Sequence, residues 1–291
     1  MHTTLVLLLA ALSITGISNG NDGQQASSNP HRFVRADDEI EFQVVNTWEI
    51  SSAAHAYGLD CFEYGGNTYV AFIDNSSDII GFLDPVTGSQ DSSISLSTGN
   101  NFAFGVASVS SGSSETFYTN DFISANLYYT DDSGQNWTSQ PNPAEPGTRG
   151  IDHREGILWQ SKTEFFNYMI SRLDIATGII NSYLVSEPGD QLSGITCFDY
   201  QGSPAIAVTT YDDVHIHFYE DVGTGVSFIG SGQLPAGVST SYGLTYNEFS
   251  DTFYWSYKGD DSKHYISELG YTEVSLQQTT FGAIKSILGS Q

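Results

Sequence analysis

The sequence predicts an all-β propeller of four-stranded antiparallel blades, and three observations carry that prediction. A small or aromatic residue, then glycine, then an aliphatic residue recurs along the chain. An acidic residue that closes an apolar run follows each of these phrases about 25 residues later. Between the two landmarks lie short alternating runs, rich in aromatic and β-branched residues and separated by turn residues.

The first landmark reads Tyr57-Gly58-Leu59, Phe104-Gly105-Val106, Arg149-Gly150-Ile151, Ser193-Gly194-Ile195 and Tyr242-Gly243-Leu244, with glycines 47, 45, 44 and 49 residues apart. The second reads Leu83-Asp84-Pro85-Val86-Thr87-Gly88, Thr130-Asp131-Asp132-Ser133-Gly134 and Leu173-Asp174-Ile175-Ala176-Thr177-Gly178, and is less regular in the last two units. In unit one the runs Gly58–Tyr64, Thr68–Ile73, Ile79–Leu83 and Ser92–Leu96 alternate as strands A to D. A single such sheet leaves a face uncovered. Sheets packed face to face around an axis cover both and leave only short edges. Glycine fits the start of strand A, where backbones crowd that axis.

Five blades are expected, with six as the alternative. Glu41–Ile50 reads as a fourth strand that could close the ring from the N-terminal side. Thr272–Thr280 could instead give the last unit its own fourth strand. The domain reading is residues 1–20 as a secretory signal, 21–35 as a flexible lead, 36–281 as the propeller and 282–291 as a tail. The signal rests on the apolar run Leu5–Leu12 and on Ser18 and Gly20 near a cleavage point. That run is short for a membrane helix, and no later segment is as apolar. The expected destination is therefore extracellular or periplasmic, as a monomer.

Thr130-Asp131-Asp132-Ser133-Gly134-Gln135-Asn136-Trp137 resembles the Asp-box of secreted β-propellers, including the sialidase-like ones. The resemblance covers eight residues and implies a folding element away from any active site. It assigns no enzyme family. The same role follows from the residues themselves, because Asp and Ser/Thr side chains satisfy turn N–H groups.

Charge narrows the partners. With 34 Asp+Glu against 9 Lys+Arg, the net charge is −25. Such a surface repels nucleic acid and anionic lipid. Sugars, cations, small ligands and extracellular proteins remain. A sialidase is disfavoured, since it needs three arginines around its substrate. Of the five here, Arg149, Arg154 and Arg172 come from one unit and Arg32 and Arg35 from the lead.

The expected site is the mouth of the axial channel. Tyr57, Phe104, Arg149 and Tyr242 precede the glycines, and Asp60, Asp152 and His153 follow them. Rings with carboxylates suit a sugar or a cationic ligand. The competing reading is an ion-pair network that plugs the channel. Loop acids at Asp74, Asp121, Asp212 and Asp260 are candidate Ca²⁺ ligands, though no cofactor is required. His215 and His217 share a strand face that is expected to be exposed. Cys61 and Cys197 occupy equivalent positions on non-adjacent blades, so both are expected to be free, buried thiols. A binding module for a glycan, small ligand or protein is the preferred function, and catalysis is disfavoured. The alternatives are a carbohydrate-active hydrolase or lyase and a structural or adhesive protein.

Overall fold

The computed structural model describes residues 38–50, 55–111, 114–144, 147–164 and 167–274. The signal, lead and tail readings lie outside these residues. Strand β1 (Asp38–Ile50) comes first in the chain but completes the last blade. Blade one is β2 (Leu59–Tyr64), β3 (Asn67–Asp74), β4 (Ile79–Leu83) and β5 (Gln90–Ser95). Blade two is β6 (Ala103–Ser111), β7 (Ser114–Asp121), β8 (Asn126–Thr130) and β9 (Thr138–Pro141). Blade three is β10 (Thr148–Arg154), β11 (Ile157–Glu164), β12 (Asn167–Asp174) and β13 (Ile180–Val185). Blade four is β14 (Leu192–Tyr200), β15 (Ser203–Thr210), β16 (His215–Asp221) and β17 (Val226–Gln233). Blade five is β18 (Val238–Asn247), β19 (Thr252–Gly259) and β20 (His264–Val274), with β1 outermost.

Five blades settle the count against six. β1 runs antiparallel to β20 from Glu39↔Val274 to Ile50↔His264, with an irregularity between Val44 and Asn46. Residues 272–274, expected to begin a separate fourth strand, continue β20 instead, and the rest of that segment lies outside the described residues. The N-terminal strand has already taken the position beside β20. It also pairs in parallel with β17 at Asp38↔Gly230 and Glu39↔Ser231, which joins blades four and five at their rims.

The five glycines form a closed hub. A Cβ on Gly58 would strike the backbone at Phe104 and Gly105, and one on Gly105 the backbone of Arg149 and Ile151. A Cβ on Gly150 would lie 2.6 Å from Ser193 O and 2.7 Å from Ile195 N. One on Gly194 would meet Gly243 and Leu244, and one on Gly243 would meet Tyr57 and Leu59, which returns to blade one. Each inner strand therefore rests on the next without a side chain between them.

Apolar side chains fill the five joints. Phe62, Ile73, Val106 and Phe117 pack between blades one and two, and Leu127, Ile151 and Leu158 between two and three. Trp159, Ile170, Ile195 and Val208 lie between blades three and four. Phe198, Phe218, Leu244 and Phe253 lie between four and five, and Leu59, Phe72, Tyr254 and Ile266 between five and one. The residues just after the glycines (Leu59, Val106, Ile151, Ile195, Leu244) all enter these clusters. This is the alternation expected of strands that pack on both faces.

The turn at 130–137 closes on itself. Asp132 Oδ1 accepts the Thr130 O–H at 2.8 Å and the Asn136 N–H at 2.9 Å, and Thr130 Oγ1 accepts the Gly134 N–H at 3.1 Å. Trp137 then donates its indole N–H to Ser95 O at 2.9 Å, so this turn of blade two braces the outer strand of blade one. At the next joint round, Gly88, at φ 72°, sits flat against the Trp48 ring of β1.

Candidate ligand sites at the two ends of the axis

Two tiers of hydrogen bonds surround the hub. In the first, a polar side chain on the second strand of a blade accepts the N–H of its own hub glycine. It then donates to the carbonyl that precedes the next glycine. Asn120 accepts from Gly105 at 2.7 Å and donates to Arg149 O at 2.9 Å. Ser161 accepts from Gly150 at 2.8 Å and donates to Ser193 O at 2.5 Å. Thr209 bridges Gly194 and Tyr242, and Ser256 bridges Gly243 and Tyr57. Sequence reasoning missed this set because its members differ in type and lie 15, 11, 15 and 13 residues after their glycines.

The second tier uses the second residue after each glycine. Asp60 Oδ2 accepts the Ser108 N–H at 2.5 Å, and Asp152 Oδ2 the Cys197 N–H at 2.5 Å. Thr196 accepts from Tyr246 and Thr245 from Cys61, both at 3.0 Å. Ala107 has no acceptor to offer, so the His153 N–H turns back to Asp152 Oδ1 at 2.6 Å. Asp60 and Asp152 thus latch neighbouring blades as the two threonines do, but with an ionisable carboxyl that latching does not need.

Seven residues were expected to share one mouth, and the hub divides them. Tyr57, Phe104, Arg149 and Tyr242 lie at the end where strand A enters. Asp60, Asp152 and His153 lie at the end where it leaves. The space between, lined by Gly58, Gly150, Gly194, Gly243, Phe104 and Tyr242, has no room for a water molecule.

At the exit end a cavity of about 170 Å³ is lined by Asp60, Asp152, His153, Cys61, Cys197 and Tyr246, among others. Asp60 and Asp152 are buried and meet no cationic side chain among the described residues. Arg154, the nearest in sequence, pairs with Asp199 at 2.8 Å. Burial holds the His153 imidazole below its usual pKa, and its Nε2 accepts the Gly156 N–H at 3.0 Å. The expected ion-pair plug is therefore not what fills this end. Cys61 and Cys197 are free, as expected, but half-buried rather than buried, because the cavity reaches both.

Burial, and then the Asp152 charge, push the Asp60 carboxyl well above the usual carboxylate range, against hydrogen bonds from Ser108 and Cys61. Burial also raises Asp152, opposed by bonds from Cys197, His153 and Thr196. The folded protein therefore keeps these protons where the unfolded chain has released them. Their contribution to stability is fully present below the ordinary carboxylate pKa of about 3.9 and is lost as pH rises through the folded values. Asp60→Asn is expected to raise the melting temperature near pH 7 and to change it little near pH 4. Calorimetric melts at the two pH values check this, and destabilisation confined to neutral pH contradicts it.

At the entry end, rings and one guanidinium close a collar. Ring centroids of Tyr57 and Phe104 are 5.0 Å apart, and the Arg149 guanidinium carbon lies 5.7 Å from Phe104 and 4.6 Å from Tyr211. Tyr211 to Tyr242 is 5.9 Å, and Tyr242 to Tyr57 is 4.9 Å. His55 stacks on Tyr57 and His264 on Tyr242. Sequence reasoning missed Tyr211 and His264. Tyr211 enters from the loop after β15, where blade four offers only Ser193 on its inner strand.

The loop acids do not converge. Asp74 Oδ1 accepts the Ser76 N–H and O–H and the His55 N–H, and Asp121 accepts from Ile123, Ser124 and Asn101. Asp212 and Asp260 are exposed. Among the described residues no three of His, Cys, Asp and Glu form a metal-holding group. His217, expected on an exposed face, is 5% exposed, because that face of β16 packs beside Phe228 toward blade three. Burial lowers its pKa to about 4.

No protein-family model and no curated protein matches the chain. Solved structures do. The X-ray structure of a candidate gluconolactonase is 11% identical over 81% of this chain and 94% of that one, with a TM-score of 0.52. A chain of a nidogen/laminin complex is 15% identical over 71% of this chain and 73% of that one, with a TM-score of 0.50. Virginiamycin B lyase from Staphylococcus aureus is 14% identical over 83% and 76%, with a TM-score of 0.45. The fold is a five-bladed β-propeller. At these identities the likeness is one of architecture, which hosts both enzymes and binding modules. Among the described residues no helix is long and apolar enough to cross a membrane.

Proposed function

We propose that this propeller is an exported binding module that holds a small polar ligand, a glycan end unit or a compact amine, in the cavity at the exit end of its axis. One observation carries the reading: two buried carboxyl groups on different blades line a cavity of about 170 Å³, and among the described residues no cationic side chain pairs with them. Buried charges are normally paired, and leaving one unpaired costs several kcal/mol. A ligand rich in hydroxyl or ammonium donors supplies what the carboxylates lack. Tyr246 and Phe249 in the same lining offer faces for a sugar ring or a cation. Export rests on residues 1–20, and the Asp-box reading of the 130–137 turn supports the same setting.

Binding to a glycan and amine array, followed by calorimetry, tests this. Asp60→Asn and Asp152→Asn keep an oxygen to accept the Ser108 and Cys197 N–H groups, so the latches between blades survive while the ionisable group is removed, at Asp152 with loss of the acceptor for the His153 N–H. Each is expected to weaken binding at least about tenfold, or about 1.4 kcal/mol. EDTA is expected to change nothing. Unchanged affinity in both variants places the ligand elsewhere.

A further inference from the structure

The collar at the opposite end contains a different anomaly. Arg149 is 9% exposed, and no carboxylate among the described residues pairs with it. Arg154, Lys162 and Lys263 each meet one, at 2.8, 3.2 and 2.7 Å. In a chain with 34 acidic residues, a lone buried guanidinium is the exception. Its Nη1 donates to Leu192 O at 3.4 Å, its Nη2 donates to the side-chain oxygen of Gln191, and its Nε has no acceptor. Three more buried polar atoms at this end lack partners: Ser193 Oγ, His55 Nδ1 and His264 Nδ1.

We propose that the collar is a second binding site, for a ligand that carries one carboxylate beside a ring. The exposed Gln191 side chain holds, with a neutral amide oxygen, the place that a carboxylate oxygen takes on the guanidinium. A planar carboxylate matches the guanidinium fork in a way that a neutral amide does not. Phe104, Phe122 and Tyr211 sandwich the guanidinium at 5.7, 5.4 and 4.6 Å, and they fix its orientation before the ligand arrives. Half-buried Tyr57, Tyr211 and Phe122 present ring faces beside it, so a ring next to the carboxylate has a surface to stack on.

The charge limit is also built in. Burial, and then the nearby His55 and Lys258, lower the His264 pKa to about 4, so His264 adds no charge near neutral pH and Arg149 is the buried guanidinium of the collar. Asp190 and Asp212 lie near enough to act on the guanidinium through space. Both Asp212 and Asp213 donate backbone N–H groups to Asp190, which turns its carboxylate toward its own loops. A monoanion is tolerated beside these acids, and a phosphate dianion is disfavoured.

The test is calorimetric binding of glucuronate and benzoate, with glucose, benzamide and inorganic phosphate as comparisons. Each acid is expected to bind at least about tenfold tighter than its neutral counterpart and than phosphate. Whichever acid binds tighter identifies the source as a sugar acid or an aromatic acid. Arg149→Gln is expected to abolish the preference, while the double substitution of Asp60 and Asp152 by Asn, in the other chamber, keeps it. Acid and neutral ligands binding alike, neither acid saturating, phosphate binding as tightly, or a preference that survives Arg149→Gln each overturns the proposal. The wild-type comparison stands even if Arg149→Gln fails to fold. The contrast between the two variant sets separates failure here from failure of the cavity reading.

Discussion

Gly150→Ala is expected to unfold this protein or to cost about 3 kcal/mol or more, whereas Gly225→Ala is expected to change stability by less than about 0.5 kcal/mol. The chemical change is the same methyl group. At Gly150 it would lie 2.6 Å from Ser193 O, 2.7 Å from Ile195 N and 2.8 Å from Gly194 C. All three are backbone atoms of the next blade's inner strand, which cannot rotate away as a side chain can. Relief requires blades three and four to separate at the axis. That separation would also stretch the Ser161 bridge from Gly150 N to Ser193 O. At Gly225 the methyl would meet only a Val222 methyl carbon, 4.0 Å away. For a domain of this size the Gly150 loss corresponds to a melting-point drop of roughly 10 °C. Equal melting points for the two variants would contradict the hub.

Removing the N-terminal clasp is expected to be as damaging. A chain that lacks residues 38–50 leaves blade five with three strands and exposes the unpaired edge of β20. It also removes Ile40, 1% exposed, from the cluster formed by Phe198, Phe218 and Phe253. Polar contacts across the same edge are lost: Thr47 with Ser267 at 2.7 Å, and Asn46 to Glu268 at 2.8 Å. Trp48 stacks on Tyr254 and rests on Gly88, so the clasp also secures the joint to blade one. The single change Ile40→Ala is expected to cost about 2–5 kcal/mol. A peptide of residues 38–50 added in trans to the truncated chain is expected to restore cooperative unfolding, as an added edge strand does. Cooperative folding of the truncated chain alone would contradict closure by β1.

The blades were legible in the sequence because a hub glycine admits no substitute. That constraint repeats at each inner strand, as Gly58, Gly105, Gly150, Gly194 and Gly243. The aliphatic residue after each glycine was legible for a related reason, since it must fill a joint. The clasp was legible as a strand with no unit of its own, although only pairing with β20 fixed its place. The site was less legible. Asp60 lies two residues after Gly58 and Arg149 one before Gly150, but sequence distance does not say on which side of the hub a side chain projects. Tyr211 takes the collar position that Ser193 is too small to fill, a substitution between strands that no periodicity records. His217 looked exposed because it lies in a third strand, away from the axis, yet both faces of β16 meet a neighbouring blade, Ile216 and Phe218 toward blade five and the His217 and Tyr219 face toward blade three.

Two native thiols give the most direct test of the axial cavity. Cys61 and Cys197 both line it, and burial pushes both thiols up, so each alkylates slowly enough to follow by intact mass in mildly alkaline buffer. With a ligand from the array at saturation, both alkylation rates are expected to fall together by about tenfold or more, as they should when one molecule fills the space between Asp60 and Asp152. Rates that stay unchanged while the ligand remains bound would contradict the account.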